Sequence, residues 1–240
     1  MATSIHTSKL GAVRLRTNKR DGTLTYVLKG GHQSAVDRNG RSLDTYIHAI
    51  YGLIVQRRAK TVLMIGCGGG TLGTMLSAAG LKVTIVDIDP TAFDLAKAHF
   101  GLPNNVVCRV GDGLAFMQKT RRRFDVLIGD AFIGEKTPKH LMGDAFCVAA
   151  RRCLAPDGAL FINVCLFKRS DLTADRFAGR LKEHGWTVRL LDQRGAARNA
   201  IILGGNVKGL RTPKLLLSPE IDAARVRREL RGSRFRRFKG

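Results

Sequence analysis

A chain of 240 residues with 41 Lys and Arg against 19 Asp and Glu carries a formal charge of +22, while 44% of its residues are hydrophobic. That length and apolar content suit one folded domain, or one with a small appendage, and exclude a disordered basic tail. No apolar run reaches the roughly 18–20 residues of a membrane-spanning helix, and five scattered cysteines without a C-x-x-C pair argue against a disulfide framework or zinc site and fit a reducing cytoplasm.

The first twenty residues hold no acid and five Lys or Arg, but no apolar signal core. Ala12–Arg16 and Thr23–Leu28 alternate around Asp21-Gly22, which predicts a β-hairpin over residues 11–29. Residues 42–57 read as a helix. Strand-like apolar runs follow at Thr61–Ile65, Lys82–Asp87, Asn105–Val110, Phe124–Asp130 and Ala159–Leu166, with helix-like segments between them. This alternation predicts βαβ units and a mostly parallel sheet with helices on both faces. Pro90 opens one helix ending near His99, and Asp171 caps another reaching His184. Further strands are predicted at Thr187–Leu191 and Ala200–Leu203. The division is therefore a hairpin appendage over residues 1–40, an α/β domain over 41–210 and a basic tail over 211–240. The last twenty residues, with seven Arg and one Lys, suggest a short helix with a frayed end.

Val62–Ile65 runs into Gly66-Cys67-Gly68-Gly69-Gly70 and then a helix. Glycine lets backbone pass close to a nucleoside or phosphate there, with helix N–H groups facing the ligand. A bare strand-to-helix turn would look the same, so the acids that follow carry more of the argument. Asp87 ends the second strand, placed to accept from ribose hydroxyls. Asp112-Gly113 follows the third, where a carboxylate can accept from an adenine amine, and Asp130 ends the fourth. Any one of these is an ordinary helix cap; three at successive strand ends converge on one crevice. A nicotinamide dinucleotide fits poorly, because the spacing from Gly66 puts Thr71 where the third glycine belongs. Extra carboxylates would also repel its pyrophosphate. A sulfonium nucleoside has no phosphate and carries a positive centre, which favours S-adenosylmethionine or its decarboxylated form.

These residues resemble the spermidine synthase family over roughly positions 25–166. Ile65-Gly66-Cys67-Gly68-Gly69-Gly70 resembles that family's I-G-G-G-D-G, Val86-Asp87-Ile88-Asp89 its V-E-I-D, Phe124–Asp130 its Y-D-V-I-I-x-D, and Gly30-Gly31-His32-Gln33 the end of its D-G-x-x-Q. The resemblance implies a Rossmann-like class I methyltransferase sheet with a donor-binding transferase domain over 41–210. It also implies a set of contacts: Gln33, Gly66, Cys67, Gly68, Gly70 and Ile88 around the donor, Asp87 at the ribose, Asp112 and Gly113 at the adenine, and Asp130 at the reacting amine. No metal is implied. The departures share a pattern. Gly69 replaces the acid that grips the aminopropyl amine, Ile133 the second acid after the fourth strand, and Lys29 the acid of D-G-x-x-Q. Donor-nucleoside residues are kept and amine-gripping ones are lost, which leans toward methyl transfer to an unidentified acceptor. Aminopropyl transfer to a diamine, with Asp130 as base and Glu135 as a substitute acid, is the alternative. A non-catalytic nucleoside- or nucleic-acid-binding module is a second.

The basic clusters Arg57-Arg58-Lys60, Lys82, Arg121–Arg123 and Arg151-Arg152 precede strands, opposite the acidic edge. Such a back would attract nucleic acid or another anionic surface non-specifically, although a solvated surface explains it equally well. The expected partners are thus a small-molecule acceptor, an amine among the candidates, and a non-specific polyanion, with a homodimer left open. His99, His140 and His184 are expected to stabilise helix ends, and His32, His48, Tyr46 and Tyr51 are candidates for the crevice wall or the core.

Overall fold

The structure is a computed structural model describing residues 1–192 and 198–239. Its first unit is an antiparallel sheet of β1 (Ala2–Ser8), β2 (Gly11–Thr17), β3 (Leu24–Leu28) and β4 (Gly31–Val36) in sequential order. The expected hairpin is its centre, with Leu15 opposite Tyr26. The alternation of β2 and β3 buries Val13, Leu15, Tyr26 and Leu28 against Leu95 and Phe100. Two flanking strands correct the reading of a bare hairpin. They escaped notice because β1 is largely exposed and β4 lacks period-2 alternation.

Helix α1 (Thr45–Val55) leads into β5 (Thr61–Ile65), α2 (Thr71–Ala78), β6 (Lys82–Asp87), α3 (Pro90–His99), β7 (Val107–Val110), α4 (Gly113–Lys119) and β8 (Phe124–Gly129). Next come α5 (Asp144–Cys153), β9 (Leu154–Leu166), α6 (Thr173–Glu183), β10 (Val188–Asp192), β11 (Arg198–Gly205), α7 (Ala223–Gly232) and β12 (Arg234–Arg236). The eight-stranded order is β12-β10-β11-β9-β8-β5-β6-β7, parallel from β9 through β7 and antiparallel from β9 outward to β12. Apolar clusters lie on its two faces, one including Ile50, Met64 and Phe161, the other Leu63, Phe146 and Phe177. Since β5, β6 and β8 are buried on both faces, their sequences are nearly uninterrupted apolar runs. Helix starts follow local chemistry: Asp89 caps α3 by accepting from Thr91 N at 3.1 Å, with Pro90 in the first turn.

The C-terminal segment is not frayed. After α7 the chain adds β12 to β10, pairing Arg234 with Asp192 and Arg236 with Leu190. Arg236 donates to both oxygens of Asp175, at 2.6 and 2.8 Å, and to Asp192 at 2.8 Å. Asp192 also accepts from Arg198 at 2.8 Å. These carboxylates are almost fully buried, so the cation that neutralises them also fixes the strand.

At the opposite edge of the sheet from the strand C-termini, three of the arginines face carbonyls, while Arg58 and Arg121–Arg123 are exposed. Arg57 donates to Asn206 O and Asp157 O, Arg151 to His184 O at 3.0 Å, and Arg152 to Met117 O at 2.9 Å. Arg151 also stacks over Trp186.

Candidate active site

The C-terminal ends of β5, β6 and β8 and the start of α4 surround a cavity closed from the N-terminal side by Leu10, Tyr26 and Gln33. Gly66, Cys67, Gly68, Asp87, Ile88, Asp112, Gly113 and Asp130 all line it. Gly70 does not: it is the left-handed N-cap of α2 and faces Leu102 and Ala96. Gly66 is required for another reason. With φ of +100°, a Cβ there would lie 2.2 Å from Asp130 O, so only glycine lets β5 and β8 end side by side.

Asp87 holds the glycine turn. Its Oδ2 accepts from Cys67 N at 2.7 Å and its Oδ1 from Asp89 N at 2.8 Å. A carboxylate has about four lone-pair sites, so capacity remains toward the cavity. Burial raises the Asp87 carboxyl above the ordinary range, and the backbone N–H groups of Asp89 and Cys67 oppose that rise.

Asp112 has two partners. Its Oδ1 caps α4 through Ala115 N at 2.8 Å, and its Oδ2 lies 2.7 Å from His140 Nε2. Burial pushes this carboxyl up, but the Ala115 N–H and His140 outweigh burial and leave it below the usual value. His140 belongs to a 3-10 turn, Lys139–Met142, which closes the loop after β8. Gln33 pins the same loop elsewhere, donating through Nε2 to Gly134 O at 2.7 Å. Two residues expected at the donor therefore also hold the wall above it.

A second cavity adjoins the first, sharing Gln33, Cys67, Gly68, Asp130 and Phe132 and adding Asp44, Tyr46, Glu135, Asn163 and Asn199. Asp130 stands at the boundary. Asn163 Nδ2 donates to its Oδ1 at 2.8 Å, and Tyr46 Oη lies 3.4 Å from its Oδ2. Burial lifts the Asp130 carboxyl from 3.8 to about 6; the Asn163 and Tyr46 contacts lower it, and the charge of Asp44 raises it. Asp44 pairs with His32 at 2.7 Å and accepts from Ala35 N. His48 is buried against Ser42 O, away from both cavities.

Asn163 and Asn199 were absent from the sequence reading. Their signal was present, since an amide within the apolar run 159–166 needs a buried partner. The departures are also visible in space. A Cβ on Gly69 would sit 2.8 Å from the Phe100 ring, and Gly69 N donates to Ser34 Oγ at 3.0 Å. Ile133, 40% exposed, lines the first cavity.

A family profile described as Methyltransferase small domain matches residues 41–182, more than half of the chain. The chain belongs to that family. Among curated proteins it is similar to the N-terminal histidine N-methyltransferase of Emericella nidulans, 30% identical over 122 residues, 49% of this chain and 22% of that protein. It is also similar to a polyamine aminopropyltransferase of Vibrio vulnificus, 29% identical over 119 residues, 47% of this chain and 40% of that one. The chain thus spans less than half the length of either relative. Its fold matches a probable spermidine synthase from Corynebacterium glutamicum with a TM-score of 0.78 at 18% identity, covering 99% of this chain and 91% of that one. Human methyltransferase-like protein 13 in complex with SAH gives 0.53 at 20% identity, covering 79% and 90%. The methyltransferase small domain family membership and these neighbours agree with the Rossmann-like class I methyltransferase sheet and its spermidine-synthase-like character.

Proposed function

We propose that this chain transfers a methyl group from S-adenosylmethionine to a nucleophile, an amine being the best-suited class. The donor's adenosine would occupy the first cavity and the acceptor the second. One observation carries the reading: two cavities share a wall at Cys67, Gly68 and Asp130, and the shared carboxylate is half-buried with its pKa raised to about 6 by loss of solvent. Asp87 would accept from the ribose hydroxyls through its remaining lone pairs. Asp112 would meet the adenine amine only by sharing or exchanging its His140 contact.

In this reading the acceptor nitrogen attacks the sulfonium methyl carbon, the carbon–sulfur bond breaks with its electron pair passing to sulfur, and the nitrogen's proton goes to Asp130. A base that titrates near 6 is ionised at neutral pH and still holds a proton usefully. Alignment of the two reactants across the shared wall supplies the remainder, worth up to roughly 7–11 kcal/mol in favourable cases.

Phe100 supports methyl over aminopropyl transfer. An aspartate at position 69 could not grip an aminopropyl amine without displacing that ring. Aminopropyl transfer is the second reading, favoured by the acids Asp44 and Glu135 around the acceptor cavity. Calorimetry with S-adenosylmethionine and with its decarboxylated form, followed by mass spectrometry after incubation with putrescine, tests both. Preference for S-adenosylmethionine with no spermidine formed is the expected result; efficient spermidine formation would replace the first reading with the second.

A further inference from the structure

Two amides behind Asp130, Asn163 buried and Asn199 half-buried, form a line of fixed direction. Asn199 on β11 lies opposite Cys165 on β9, which brings its side chain diagonally against Asn163 on the same face. Asn199 Nδ2 donates to Asn163 Oδ1 at 2.9 Å, and Asn163 Nδ2 donates to Asp130 Oδ1 at 2.8 Å. Asn163 is 1% exposed, so no water can substitute for either bond without rearrangement. The order of donors matters. An amide can present its oxygen or its nitrogen, and its partners decide which. By donating to Asn163 Oδ1, Asn199 turns the Asn163 nitrogen toward the carboxylate.

We propose that Asn199 and Asn163 are positioning residues that make Asp130 Oδ1 an acceptor only and reserve Oδ2 for the acceptor's proton. A proton on Oδ1 would face another N–H and lose the 2.8 Å bond. Among the described residues, Oδ2 has only the long 3.4 Å contact with Tyr46, and it borders the second cavity, so it is the oxygen free to take a proton. The inference rests on the reading of Asp130 as the base, but its geometry does not depend on the group transferred.

Among the described residues, the other charged or titratable groups around this carboxylate are His32 on β4, Asp44 and Tyr46 at α1, Cys67 in the glycine turn, Cys165 on β9, Glu135 in the loop and Arg198 on β11, with His32 paired to Asp44. Asp44 raises the carboxyl, while Arg198 is committed to Asp192. None of them orients Oδ1.

Side-chain carboxyl titration by 13C NMR of the full chain, assigned by the loss of one signal in Asp130→Asn, reads the proposal without needing an acceptor. In the wild type Asp130 should titrate near 6. Asn199→Ala removes the lock without adding charge. It frees Asn163 to turn its oxygen toward a protonated Asp130, and the midpoint should rise by about 1 on the pH scale, the size of one hydrogen-bond preference. Asn163→Leu should raise it further, and Asn199→Asp, which inverts the amide by accepting from it, at least as far. If Asn163→Leu does not fold, Asn199→Ala still decides. Folded variants with the wild-type midpoint would overturn the proposal. Calorimetry with S-adenosylmethionine is run separately: no donor binding would remove the transferase reading while leaving a shifted titration standing.

Discussion

Burial of Asp130 has a stability cost that can be measured. Its carboxyl moves from an ordinary 3.8 to about 6 because ionisation inside the fold is disfavoured. The displacement corresponds to about 3 kcal/mol of folding free energy lost once the group is ionised in both states. The sign follows from the direction of the shift. Below about 4 the carboxyl is protonated in folded and unfolded chains alike and costs nothing; between about 4 and 6 the unfolded chain ionises first and stability falls; above 6 the full penalty is present. Asp130→Asn keeps the shape and can still accept from Asn163, but never ionises. Its advantage over the wild type should therefore be near zero at pH 4 and grow to about 2–3 kcal/mol at pH 8, less the weak Tyr46 contact. Urea unfolding of both proteins at several pH values measures this difference. A difference that stays flat with pH would refute the argument, since a packing effect alone has no reason to titrate.

Asp87→Ala should weaken S-adenosylmethionine binding by roughly 1–3 kcal/mol, because it removes a charged acceptor and also frees Cys67 N in the glycine turn; unchanged calorimetric affinity would reduce Asp87 to a brace. Gly69→Asp should lower stability by about 1–3 kcal/mol by driving a Cβ into Phe100, and combining it with Phe100→Ala should cost less than the sum of the two single losses, because removing the ring relieves the clash; strict additivity in a urea double-mutant cycle would refute that cause. Arg236→Ala leaves Asp175 buried without its bidentate partner and should cost about 3–5 kcal/mol. Fast hydrogen exchange confined to β12 and β10 should accompany it, whereas wild-type protection there would mean the strand is held by other contacts.

The parallel centre of the fold was legible because β5, β6 and β8 lie between two layers and must be apolar throughout. The glycine turn and the strand-end acids were legible because their residue types are constrained by backbone approach and by charge. The strands β12 and β1 were not, although β7 at the other edge of the large sheet and β10 and β11 were. β12 is Arg-Phe-Arg, a sequence that no alternation rule assigns to a sheet, and it is held by Asp175 and Asp192 from distant segments. β1 is an exposed edge with little apolar pattern to read. Asp112 could be placed at the crevice from its position after β7, but its bond to His140 depends on how a loop returns across 28 residues. The Asn199–Asn163 line is a matter of register between β11 and β9, and side-chain register is invisible until two strands are paired.

The arginines at the strand N-terminal edge change what a charge of +22 means. Arg57, Arg151 and Arg152 aim their forks at carbonyls where helices and strands end. They keep their charge, but their donors serve as mortar between chain ends. A polyanion approaching this edge would feel a positive field and find these three forks already engaged, leaving the exposed Arg58 and Arg121–Arg123 to meet it, and bidentate phosphate recognition needs the fork as well as the charge. Adhesion there would fade with added salt and read little shape. Exchanging these arginines for lysines would preserve the field and loosen the masonry, so the two contributions of a basic residue, usually counted together, separate in this protein.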